Sequence, residues 1–341
     1  MTQSKTKQSK TNSPENGWGL WPFIIWLVVF YLAWIALVQL GDHLQTVLSH
    51  WQIAVAMAAG SYVAGSTPMG GGTVGFPVLV LLMDLPASLG RDFSSAVQSV
   101  GMTSASIYIF CRRMPLEWPM LQAAMIGSLI GTPLGITFIA PLASDLFIKL
   151  LFASMWCSFG LLHLRRIDEI AGYVGMTPHN KSFDRKAGFG VGLLGSLTVA
   201  SITGVGIDML IYMVLVLWCH ADLKISIPTS VVLMAFTSIV GVVTKLLMGN
   251  IQAGTFEHWL AAAPVVILGA PLGALVVDRI GRRTTLVLVS SLCVVQFVWT
   301  LVHERSVLTT WTIMLAVLGV FGFLLLFAAM YSQGQRLARR T

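Results

Sequence analysis

The chain has 341 residues, 56% of them hydrophobic and 10% charged, with a mean hydropathy of +0.80 and a formal net charge of +7. A soluble domain carries about 25% charged residues, so the composition excludes a soluble globular fold. The apolar residues form continuous blocks long enough to cross a bilayer, which takes about 20 helical residues, and a barrel would instead show alternating segments of about 10. The sequence therefore predicts an all-α polytopic membrane protein, in which basic residues mark cytoplasmic loops before they mark any nucleic-acid partner.

In chain order, a polar tail over residues 1–19 carries Lys5, Lys7 and Lys10 and precedes an apolar block over 20–40. A secretory signal has an apolar region of about 7–15 residues, so this block reads as a retained first helix. Further segments fall near 52–65, 71–84, 93–110, 119–140, 146–163, 187–203, 206–219, 226–247, 258–277, 284–302 and 311–330. The pairs flanking Gly70 and Thr203 are short. Counting each short segment as a crossing, with the tail inside, places Arg112 and Arg113, the loop over 164–186, "DRIGRR" at Asp278 to Arg283 and the terminal "RLARR" on one side. That distribution obeys the positive-inside rule and puts both termini in the cytoplasm of a plasma-membrane (inner-membrane) protein, with the loop at Asn250 outside. Trp18, Trp21, Trp51, Trp118, Trp218, Trp259 and Trp311 sit near segment ends, as an aromatic belt requires.

An internal repeat accompanies this pattern. An offset of 206 − 71 = 135 lays Gly71 over Gly206 and "SSAV" at Ser94 to Val97 over "TSVV" at Thr229 to Val232, and "GTPLG" at Gly131 matches "GAPLG" at Gly269. The repeat units are 52–163 and 187–302, joined by the basic loop over 164–186 and flanked by helices at 20–40 and 311–330. Each unit holds five segments, an odd number, so the copies are expected in opposite orientations, the inverted-repeat plan of secondary transporters.

The stretch "GSTPMGGGTVGFP" at Gly65 to Pro77 breaks the apolar pattern at membrane depth. Irregular backbone is tolerated there only where protein buries it or it lines a cavity, and paired interruptions in two halves point to a substrate site. Gly70, Gly71 and Gly72 would leave free N–H groups at the start of a half-helix from Thr73, where the helix dipole attracts anions. Thr203, Gly204 and Gly206 would do the same from the second half. The alternative role of glycine in membrane helices is close packing, and "GTPLG" and "GAPLG", with glycines four apart in regular segments, fit that role.

The glycine cluster, the apolar stretch with a proline and the following small-hydroxyl pair, repeated in both halves, resemble the TauE/SafE sulfite exporter family, also called the 4-toluene sulfonate uptake permease family. The resemblance rests on "PMGGGTVGFP" with Ser94 to Ala96 and on "TGVGIDMLIY" with Pro228 to Val232 and covers most of 52–302. It implies a permease for small inorganic sulfur anions or organosulfonates, working without a cofactor or nucleic acid in a lipid bilayer, and leaves homo-oligomerisation open. The second copy departs from the pattern at Tyr212 and Asp208.

Ser94, Ser95, Thr229 and Ser230 are candidate neutral ligands for an oxyanion, since each hydroxyl donates one hydrogen bond; the alternative is a bond to their own helix backbone. Gln98 and Thr103 are weaker candidates further along, and Arg91 and Lys224 read as snorkelling interfacial charges. Asp208, inside an apolar block, is by default a functional residue: either it couples transport to a proton or cation, or it caps a half-helix. His43, His50, His163, His179, His220, His258 and His303 fall at loops or segment ends and are expected at the interface. The four cysteines lack metal or disulfide spacing. A membrane-embedded enzyme would need clustered acids, histidines or cysteines, a scaffold would need a soluble domain, and a nucleotide-driven pump would need a P-loop; none is legible.

Overall fold

The computed structural model describes residues 19–176, 181–280 and 282–338, so the lysine tail, His179 and the last basic residues lie outside the described part. Thirteen helices occupy it, and no strand is present among the described residues. They are α1 (Trp21–Leu40), α2 (Leu44–Ser49), α3 (Trp51–Ser66), α4 (Gly72–Pro77, continued by a π-helical turn Val78–Leu82), α5 (Ala87–Cys111), α6 (Trp118–Leu142), α7 (Asp145–Ala171), α8 (Lys181–Thr203), α9 (Ile207–Met213, continued by a π-helical turn Val214–Trp218), α10 (Leu223–Leu247), α11 (Thr255–Ile280), α12 (Arg282–His303) and α13 (Thr310–Ala338). Among the described residues, eight helices are long and apolar enough to span a membrane, and the half-helices of α4 and α9 are not. The protein is a polytopic helical membrane protein.

Three details differ from the sequence reading. The stretch 164–186 is helical at both ends, because α7 runs to Ala171 and α8 begins at Lys181; a kink at Arg166 (φ −123°) lets α7 continue. The segment before Thr203 is a full-length span rather than a short one. The small helix α2 was not legible in a stretch with no apolar periodicity.

The two halves repeat their backbone at an offset of 136. Asp84 (φ 52°) matches His220 (φ 47°), Arg113 (φ 51°) matches Gly249 (φ 62°) and Gly70 (φ 60°) matches Gly206 (φ 101°), since 220 − 84, 249 − 113 and 206 − 70 are each 136. The π-helical turns at Val78 and Val214 share that offset. Equivalent helices also pair with each other and run antiparallel. Lys149 near the start of α7 meets Glu304 just past α12 at 2.5 Å, while Asp168 near the end of α7 meets Arg283 at the start of α12 at 2.7 Å. Asp92 near the start of α5 meets Lys245 near the end of α10 at 3.0 Å.

Glycines set the tightest helix contacts. In α3 a Cβ on Gly65 would overlap the Ala270 carbonyl of α11, and in α8 a Cβ on Gly192 would overlap the Ala124 carbonyl of α6. Gly131, Gly269 and Gly273 face backbone or Ser61 equally closely, so "GTPLG" and "GAPLG" serve packing, as in small-residue membrane interfaces. The prolines of α11 free carbonyls four residues back, and both are capped from other helices. Pro264 leaves Leu260 O free, and it accepts Trp34 Nε1–H of α1 at 2.9 Å; Pro271 leaves Ile267 O free, and it accepts the Ser104 hydroxyl of α5 at 2.6 Å. Tyr31 donates to Pro264 O at 2.6 Å, so the otherwise lipid-exposed α1 is fastened to α11 by two polar contacts.

These contacts predict opposite outcomes for two glycines in one helix. Gly192→Ala must displace the α6 backbone and should lower stability by about 1–3 kcal/mol, whereas Gly190→Ala, where a Cβ meets nothing within 4 Å, should be neutral or stabilising by up to about 1 kcal/mol. Thermal unfolding in detergent, followed for both variants, reads the difference directly.

Candidate functional site

The helix breaks meet at the centre of the molecule. The first runs from Thr67 to Gly71, with Gly70 in the left-handed region; the second is Gly204-Val205-Gly206, with both glycines left-handed (φ 76° and 101°). The half-helix α9 that follows is enclosed, with Ile207, Met209, Ile211 and Tyr212 fully buried. A Cβ on Gly70 would collide with Gln98 Oε1 of α5 and lie 2.9 Å from Asp208 Oδ2 of α9. The first break, α5 and α9 therefore converge on one point. Asp208 and Gln98 are each 1% exposed. Asp208 Oδ1 accepts the Met209 N–H at 3.0 Å in the first turn of α9, where the dipole favours an acid. Gln98 Nε2 donates to Ser94 O at 3.2 Å. Asp208 Oδ2, Gln98 Oε1 and the Ser94 hydroxyl are buried without a partner among the described residues, and such groups are costly unless something satisfies them.

The remaining candidate residues divide. The Thr73 hydroxyl donates to Met69 O and accepts Trp156 Nε1–H at 2.9 Å, so it is consumed by packing. Thr203 Oγ1 bridges Val199 O (2.9 Å) and Val205 O (2.8 Å) and stitches the second break locally. Thr229 donates to Ile225 O at 2.7 Å and accepts the Glu117 N–H at 3.1 Å, while Ser230 donates to Ile227 O at 2.8 Å. Neither borders the space beside Gly204 or the gap beside Gly71. At the backbone offset of 136 the partner of Ser94 is Ser230, whereas the offset of 135 slips α10 by one residue, a rotation of about 100° on a 3.6-residue helix. Gly71 (φ −67°) is helical and borders a gap of about 10 Å³ between α3, α5 and α11; Gly72 opens α4.

Ser95 and Gly204, by contrast, line a cavity of about 50 Å³ between α5, α6, α8, α10 and α11. The Ser95 hydroxyl donates to Gly204 O at 3.3 Å, so the cavity abuts the second break. Arg91, Asp92 and Lys245 border it as a buried ion cluster. Arg91 is thus no snorkelling surface charge: burial of α5 against α10 draws it inward to Asp92. Lys245 was not legible as a site residue, because a lysine two residues from a helix end resembles an interfacial anchor. His163 is not interfacial either; it is fully buried, with Nδ1 2.9 Å from Phe159 O and Nε2 3.2 Å from the Tyr212 hydroxyl.

A family model described as sulfite exporter TauE/SafE matches residues 52–300, which span both breaks and the cavity. The chain belongs to the TauE/SafE family. TauE/SafE proteins are membrane permeases for sulfur anions rather than enzymes, so this member is a transporter whose surroundings are a lipid bilayer and whose substrate is a small anion. No curated protein and no solved structure gives a significant match. In this TauE/SafE chain the family match runs from 52 to 300, leaving α1, α2 and α13 outside it.

The central junction separates neighbouring glycines. Gly70→Ala should abolish anion uptake, because its Cβ strains a left-handed residue and displaces Gln98 and Asp208. Gly71→Ala, whose Cβ would meet Met57 Cε at 3.3 Å, Ala64 Cβ at 3.6 Å and Gly60 O at 3.8 Å, should retain most uptake. Uptake by both variants in proteoliposomes, normalised to folded protein, decides.

Proposed function

We propose that this TauE/SafE member moves a small inorganic sulfur anion or organosulfonate across the plasma membrane, coupled to protons through Asp208. The two halves are inverted with both termini cytoplasmic. The antiparallel pairing of α7 with α12 and of α5 with α10 supports the inversion, as does the meeting of the end of α7, the start of α12 and the C-terminal part of α13 at one end, where Arg283 pairs with Asp168 and Arg166 lies 3.7 Å over the Tyr331 ring.

The observation that carries the coupling is the free carboxylate oxygen of Asp208, buried at the start of α9 and facing Gly70 and Gln98. An unpaired carboxylate repels a nearby anion: at an effective dielectric near 20, two unit charges about 6 Å apart repel by roughly 3 kcal/mol. Protonation of Asp208 removes the repulsion, so proton and anion bind together and leave together. A capping role alone would tolerate Asn, which caps nearly as well as Asp.

Asp208→Asn should therefore abolish accumulation driven by a pH gradient while sparing downhill exchange, and should flatten the tightening of anion affinity towards acid pH seen in the wild type. Tyr212 one turn along α9, His163 of α7 against it, and Arg91, Asp92 and Lys245 in the cavity remain in the variant, so pH dependence that survives belongs to them. Gradient-driven accumulation by Asp208→Asn equal to the wild type would refute coupling through this residue.

A further inference from the structure

The cavity beside Gly204 holds more hydrogen-bond donors than the fold uses. Arg91 and Lys245, each 8% exposed, border it from α5 and α10. Their shared counter-ion Asp92 accepts from Arg91 Nε at 3.1 Å, from Lys245 Nζ at 3.0 Å and from the Gln252 N–H at 3.1 Å. Two cations face one carboxylate whose lone pairs are already engaged, which leaves a net positive charge. The terminal nitrogens of Arg91 make no hydrogen bond among the described residues, so its outer N–H donors are free.

Four hydroxyls around the same space are also unused. Serine and threonine in membrane helices ordinarily donate to a carbonyl three or four residues back, and Thr203, Thr229 and Ser230 do so here. Thr132 of α6, Thr237 and Ser238 of α10 and Thr255 of α11 do not: all are 3% exposed, all line the cavity, and none of their hydroxyls has a partner among the described residues. One water needs roughly 10–15 Å³ of such space, so a cavity of about 50 Å³ takes an occupant of only a few water-sized groups.

We infer that this cavity binds one compact oxyanion, of the size of sulfite or the head of a small alkylsulfonate, held by Arg91 and Lys245 and by the hydroxyls of Thr237 and Ser238. Charge, free donors and volume each point to that class. An aromatic sulfonate exceeds the space. The anion then lies against the Ser95–Gly204 contact, at the threshold of the second helix break. The inference takes its substrate chemistry from the permease reading and its location from the cavity alone.

Equilibrium dialysis of radiolabelled sulfite against the purified full-length protein in detergent tests it, run beside sulfite exchange in proteoliposomes. Thr237→Val/Ser238→Ala, which keeps shape and removes two donors, should bind at least about tenfold more weakly, since hydrogen bonds to charged groups are the strong ones. Lys245→Met, which leaves Asp92 paired with Arg91, should also weaken binding, and toluenesulfonate should fail to compete. Wild-type affinity in both variants would overturn the site, and if exchange persists the permease reading stands without it. Competition by toluenesulfonate as strong as that by unlabelled sulfite would overturn the compact class, and absence of both binding and exchange in the wild type would remove the site and the sulfur-anion reading together.

Discussion

Inside a bilayer every backbone N–H and C=O must find a partner within the protein, because no water is present to supply one. Each irregularity in this molecule is placed by that constraint. The prolines of α11 are tolerated because Trp34 and Ser104 reach the carbonyls that those prolines release. The second break is tolerated because Thr203 and Ser95 hold the carbonyls of Val199, Val205 and Gly204. Side-chain polar groups buried without a partner among the described residues include Asp208, Gln98, Ser94 and four hydroxyls round the cavity, and on these the proposed transport role rests.

The same physics makes the two halves unequal. Advancing Arg91 and Asp92 by 136 gives Ile227 and Pro228, and setting Thr237, Ser238 and Lys245 back by 136 gives Gly101, Met102 and Ile109. The charged and hydroxylated cavity thus has an apolar counterpart. That counterpart is the gap of about 10 Å³ beside Gly71, bordered by Met57, Met102 and Val266, with Gln98 and Ser61 its polar neighbours. Methionine fills irregular space and repacks readily, so closure on that side is by soft packing rather than by ion pairs.

Much of the architecture was legible because hydrophobic blocks and Gly/Pro interruptions are strong signals in lipid. Most of the spans, the two breaks and the packing role of "GTPLG" and "GAPLG" appear where the sequence places them, the full-length span ending at Thr203 being the exception. The site was less legible, for three physical reasons. A repeat aligned by residue similarity slipped by one position, which on a helix turns Thr229 away from its supposed counterpart. A hydroxyl bonded to its own helix and one left free look identical in sequence, so Thr73 was included while Thr237 and Ser238 were missed. Charges near helix ends read as interfacial, and only tertiary burial shows that Arg91, Lys245 and His163 are enclosed.

The central claim is that the cavity at the second helix break is where the anion enters the transport path. Ser95 lies on its wall, in contact with Gly204. The direct measurement is labelling of Ser95→Cys by a membrane-impermeant maleimide, on a background lacking Cys111, Cys157, Cys219 and Cys293, with the reagent applied to one face of the membrane at a time. The account predicts labelling from the face that carries the Asn250 loop and protection by sulfite at saturating concentration. Labelling from the opposite face alone, or labelling that sulfite leaves unchanged, would contradict it.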